Sequence, residues 1–163
     1  MGRRMHTTQY LTLDEAVEFV ERIGVEYPNL DEALLALRRE YTNTPSYLND
    51  SALLNIDGLR KLEYAAGQVA VEAMNQLVLE GGLTWLAAVS QVHAARKYQM
   101  EQWSSLVEPD RSFEEWILLT EEYQHRFKQI FANGQGSAAR LTKYAAIVAN
   151  LALWAVQSAL GHV

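Results

Sequence analysis

Residues 11–23 read LTLDEAVEFVERI, and residues 83–95 read LTWLAAVSQVHAA. In the first stretch Leu13, Ala16, Val17, Val20 and Ile23 recur at intervals of three and four, which lines them up on one stripe of an α-helix. Thr12 stands three residues before Glu15, the spacing of a capping box. There a hydroxyl and a carboxylate each accept from a backbone N–H that the start of a helix leaves open. The second stretch has the same internal spacing: Leu83-Thr84, Ala88-Val89 and Val92 answer Leu11-Thr12, Ala16-Val17 and Val20. Together they predict an all-α chain in which a helical unit occurs twice.

Outward from these stretches the correspondence continues in the same order. Leu37 followed by Glu40-Tyr41 is answered by Leu119 followed by Glu122-Tyr123, and Tyr64-Ala65-Ala66 by Tyr144-Ala145-Ala146. Three collinear matches with loop-sized offsets are the signature of an internal duplication. The expected organisation is a tail over residues 1–10, a three-helix repeat over 11–80 and a second over 83–163, joined at Gly81-Gly82 and sharing one core as a six-helix bundle. The helices are expected at 13–26, 30–41, 59–79, 83–106, 113–131 and 138–160. Asn29 with Glu32, just after Pro28, and Ser112 with Glu115, just after Pro109, repeat the capping spacing. Residues 42–57, polar and containing Pro45, read as a long loop, and Asn133-Gly134-Gln135-Gly136 as a glycine connector.

A net charge of −6 without a basic tract argues against a sequence-independent nucleic-acid binder, which needs cations to displace phosphate counterions. No cysteine is present, which excludes disulfides, thiolate metal sites and cysteine nucleophiles and suits a reducing cytoplasm. The most apolar stretch, residues 145–160, is interrupted by Asn150, Gln157 and Ser158 and is shorter than a membrane span, so it reads as a buried helix. The expected partners thus exclude nucleic acid and membrane, and leave a nucleotide and a second copy of the chain open.

Glu121 and Glu122 precede His125 by four and three residues, so Glu121 and His125, or Glu122 and His125, share a helix face. Two carboxylates and an imidazole could hold a divalent ion, and the same spacing also describes a solvated polar stripe. His93, close to Arg96 and Lys97, fits either a phosphate-facing patch or an exposed helix face.

The segment from Phe113 through Glu114-Glu115, Leu119 and Glu121-Glu122-Tyr123, followed after the glycine connector by Tyr144-Ala145-Ala146 and an apolar run to Trp154, resembles the MazG-like all-α nucleotide pyrophosphohydrolases of phages and bacteria. Residues 30–41 and 67–74 resemble the same two motif helices in the first half. The resemblance implies magnesium-assisted attack of water on a nucleoside triphosphate, with Glu121 and Glu122 at the first two acidic positions of the motif. Any surviving site is expected around Glu121, Glu122 and His125 as the metal group, with Glu40 as the counterpart in the first repeat and Tyr41 and Tyr123 beside these acids to meet a nucleotide, because both repeats share these positions. The match is incomplete. His125 stands where the third acid of the first motif belongs, Arg140, Lys143, Ala145 and Val148 occupy the region of the second acidic pair, and Gln68 replaces the aspartate in the first half. The resemblance therefore implies a descendant with weakened or lost catalysis that keeps a nucleotide-binding role. The alternative is a helical interaction or assembly protein that uses Tyr144, Ala152, Trp154 and Ala155 as its surface.

Overall fold

The computed structural model describes residues 12–43, 56–103, 113–134 and 137–160. Among these residues the chain forms six α-helices and no strand: α1 (Leu13–Arg22), α2 (Leu30–Asn43), α3 (Ile56–Gly81), α4 (Trp85–Trp103), α5 (Phe113–Asn133) and α6 (Ala138–Leu160). The all-α class read from the sequence is thus the observed one. The tail over 1–10, residues 44–55 of the long loop, Ser112 of the third capping box and Gln135-Gly136 lie outside the described residues. The described residues fall into two compact units, divided after Glu72 and after Ala152: those up to Glu72 and from Leu153 onward form the first, and those from Ala73 to Ala152 the second.

In the first unit α1 opens on the expected capping box: Glu15 N donates to Thr12 Oγ1 at 3.1 Å, and Thr12 N donates to Glu15 Oε1 at 2.9 Å. Leu13, Ala16, Val17 and Val20 form its buried stripe. The helix stops at Arg22, four residues before the expected end, because Ile23 turns to extended backbone and the following linker is held by α3. Gln68 Nε2 donates to Gly24 O at 2.7 Å, and Glu26 N donates to Gln68 Oε1 at 3.0 Å. One buried amide thus fixes both polarities of a linker that has left its helix. Beside it Gly67 lets α1 approach closely, since a Cβ there would lie 2.7 Å from Ile23 Cδ1 and 2.8 Å from Phe19 Cε2. The second helix begins where Asn29 Oδ1 accepts from Glu32 N at 2.9 Å, and it buries Leu30, Ala33, Leu34 and Leu37. Full burial of a leucine such as Leu37 or Leu62 contributes about 2 kcal/mol.

In the second unit α3 ends at the expected glycines. Gly82 has a φ of +58°, a left-handed conformation that costs a side-chain-bearing residue but not glycine. Leu83 N donates to Val78 O at 3.1 Å and Gly82 N to Leu79 O at 3.4 Å, the paired bonds of a Schellman motif. Thr84 Oγ1 then accepts from Ala87 N at 3.1 Å, so α4 starts at Trp85, two residues later than expected. The fifth helix buries Phe113, Trp116, Ile117, Thr120, Gln124, Phe127 and Ile130 at helical spacing and ends at Gly134, whose φ is +62°. Ser137 Oγ accepts from Arg140 N at 3.2 Å and caps α6, which is buried without interruption over residues 145–153. Among the described residues no helix is long and apolar enough to cross a membrane.

Candidate functional site

The buried stripe of α5 decides where its acidic residues go. With Thr120, Gln124 and Phe127 turned inward, Glu122 and His125 are exposed and Glu121 is half-buried. Glu122 Oε2 lies 2.5 Å from Arg126 Nη2, one turn further on. Such an exposed pair contributes about 0.3–0.5 kcal/mol. Among the described residues no three of the His, Asp and Glu side chains come together as a group that could hold a metal ion, and Glu121, Glu122 and His125 are no exception. Magnesium, which needs several hard oxygens in near-octahedral order, does not fit this face.

Glu40 and Tyr41 are half-buried in the last turn of α2, in the first unit, and Tyr123 is half-buried on α5, in the second. Tyr123 has acquired neighbours that sequence spacing alone did not pair with it. Its ring lies 6.4 Å from that of Tyr144 on α6, tilted by 31°. Arg126 Cζ lies 4.7 Å above the Tyr123 ring and Arg140 Cζ 5.9 Å above the Tyr144 ring. The two arginine–tyrosine pairs follow from helix geometry, Tyr123 to Arg126 being i, i+3 and Arg140 to Tyr144 i, i+4. Their meeting is tertiary. A third cation, Lys143 Nζ, lies 5.5 Å from the centre of the Tyr98 ring of α4. The N-terminal half of α6 thus sets its cations over aromatic rings, in the region where the resembled family would carry acids.

Among the described residues the buried polar side chains are mostly amides. Gln76 of α3 and Gln124 of α5 face each other, each amide donating to the other's oxygen at 2.9 and 3.0 Å. Arg96 Nε of α4 donates to Asn150 Oδ1 of α6 at 2.5 Å, and Asn150 Nδ2 donates to Gln99 Oε1. Burial strips water from the Arg96 guanidinium and pushes its pKa down to about 9. Thr120 donates to Trp116 O at 2.7 Å, the within-helix bond that lets a hydroxyl be buried. Glu72, 6 % exposed, differs from these, because its Oε2 is buried without a hydrogen-bond partner and burial raises its pKa. Glu63, half-buried on the same helix, also has a buried Oε2 without a partner. Its pKa is raised by burial, with Arg60 opposing.

The face of α6 expected to serve as an assembly surface is largely closed: Ala152 and Ala155 are buried, and Tyr144 and Trp154 are half-buried. No family model matches the chain, and no curated protein or solved structure shows significant similarity to it.

Proposed function

We propose that this chain is a MazG-like protein with weakened or lost catalysis that binds nucleotides through the tyrosine–arginine surface of α5 and α6. The observation that carries this reading is the Tyr123–Tyr144 pair with Arg126 and Arg140 over its rings. A nucleotide offers an aromatic face and an anion, and this surface offers the complement of each. A base stacks on a tyrosine ring, and the phosphates draw an arginine fork away from its ring, since a guanidinium binds phosphate more strongly than an exposed aromatic face. Cations beside the site oppose a bound divalent ion and favour the metal-free polyphosphate. Working in a cytoplasm, independently of nucleic acid, is part of the same proposal.

Calorimetry with ATP, GTP and dUTP, with and without magnesium, tests it. Binding is expected without magnesium, and Tyr144→Leu or Arg140→Gln should each weaken it roughly tenfold, the order of one base stack or one charge-assisted contact. Turnover of the same nucleotides should stay well below about 1 per second, the low end of ordinary enzymatic rates. Saturable binding that both substitutions leave unchanged would overturn the site. Turnover lost in Glu122→Gln would overturn the loss of catalysis.

Internal duplication is part of the proposal and has its own support. Thr12 and Thr84 both cap their helices, Ala16 and Ala88 are both fully buried, and Val20 and Val92 are buried together with them. Ala65-Ala66 and Ala145-Ala146 are likewise all buried. A second functional reading, assembly through a helical surface, is favoured by Leu79 and Leu86, which are 79 % and 80 % exposed on either side of the Gly81-Gly82 turn. Sedimentation equilibrium of the chain and of Leu79→Glu with Leu86→Glu distinguishes it, since self-association through this turn should disappear in the double variant.

A further inference from the structure

Between α4 and α6, wholly within the second unit, lies an open cavity of about 460 Å³. Its walls are small. Ala94 and Ala95 come from α4 and Ala139 and Ala146 from α6, with Ile147 alongside, so helices that meet at Asn150 leave a space where bulkier side chains would have closed the groove. The rim is polar: Gln91, Tyr98, Thr142 and Lys143. Thr142 already spends its proton on Ala138 O at 2.8 Å, so its hydroxyl can only accept. Lys143 is the one charged side chain in the lining, and its ammonium lies over the Tyr98 ring that shares the rim. The apolar floor comes from Ala146 and Ile147, both buried.

We infer that this cavity is a binding site for a small amphiphilic monoanion, an aliphatic carboxylate whose chain lies on the alanine walls and whose head meets Lys143. The volume falls within the range of small-molecule sites, about 300–1,000 Å³, which are apolar with a few placed polar groups. A single cation selects a single negative charge. In a chain of net charge −6 it also gives the groove a sign opposite to that of the molecule as a whole. The site is separate from the tyrosine–arginine surface: Arg140 and Tyr144 lie one turn apart on α6, and neither lines the cavity.

The test uses octanoate, with octan-1-ol as the same chain without charge and acetate as the head without the chain, titrated calorimetrically into the 163-residue chain. Octanoate should bind at one site at least tenfold more tightly than either control. Lys143→Gln should reduce octanoate to the affinity of octan-1-ol, and Lys143→Arg should restore most of the difference. Ala94→Phe fills the cavity from an exposed position that the core does not need, so it should abolish octanoate binding while leaving the thermal melt in place. Ala139→Leu, also exposed, gives an independent blocking variant. Octan-1-ol binding as well as octanoate would overturn the inference, as would octanoate binding that survives both blocking variants in folded protein or the absence of saturable octanoate binding.

Discussion

At the scale of single residues, the interior amides had no helical-period signal of their own. Gln68, Gln76, Gln99, Gln124 and Asn150 sit at helical positions where an aliphatic residue would also satisfy the period, and only their partners compensate their burial: the linker backbone at Gly24 and Glu26 for Gln68, and an amide on the facing helix for the others. Glu72 has no such compensation at Oε2, so its ionised form is the destabilised one. Its pKa is higher folded than unfolded, so the unfolded chain releases the proton first as pH rises, and stability present below the ordinary glutamate range is lost as pH climbs through the folded value. Glu72→Gln should therefore stabilise the protein at neutral pH, because it removes the cost of ionising a buried carboxyl while leaving one polar atom just as unmet as in the protonated acid. Chemical denaturation at pH 7 and again below pH 4 checks the sign, and the advantage should fade at the acid end. The Tyr123 candidate was visible as a tyrosine beside an acidic pair, but Tyr144 as its partner was not. A contact between α5 and α6 is not encoded in either helix's spacing.

At the scale of elements, the starts and stops were the most legible features, because caps are local. Thr12 and Asn29 cap the helices they were expected to cap, and Gly82 and Gly134 take the left-handed conformations that end theirs. The early end of α1 was not legible, since periodicity continues to Ile23 and the contact that draws the linker away comes from Gln68, more than forty residues later. The close approach of α1 and α3 at Gly67 has a measurable consequence. Gly67→Ala gains roughly 1 kcal/mol of helix propensity, and moving Phe19 and Ile23 aside costs a similar amount, so it should be near neutral. Gly67→Leu cannot be absorbed by those side-chain ends and should destabilise by about 2 kcal/mol or more in thermal or urea unfolding. Equal stability of the alanine and leucine variants would mean that α1 does not press on α3 at this point.

At the scale of the whole molecule, the proposed duplication makes corresponding substitutions comparable. Thr12→Ala and Thr84→Ala remove the same capping oxygen at the same place in each repeat, and each should cost about 1 kcal/mol. Urea unfolding of the two single variants should give matching losses, whereas a loss confined to one would mean that only one of the two starts behaves as a cap in the folded chain. Sequence by itself determined the helical class, the number of helices among the described residues and most of their ends, because periodicity, hydroxyl and amide caps and glycine stops act within a few residues of chain. It also set the sign of the net charge and excluded cysteine chemistry. Tertiary structure alone decided which side chains share a site. It turned Glu122 and His125 to solvent, brought Tyr123 to Tyr144, and left a cavity between the alanines of α4 and α6. The physical reason is one of range: a helix's period fixes which of its own residues lie together, but which face of another helix they meet depends on packing between segments far apart in the chain.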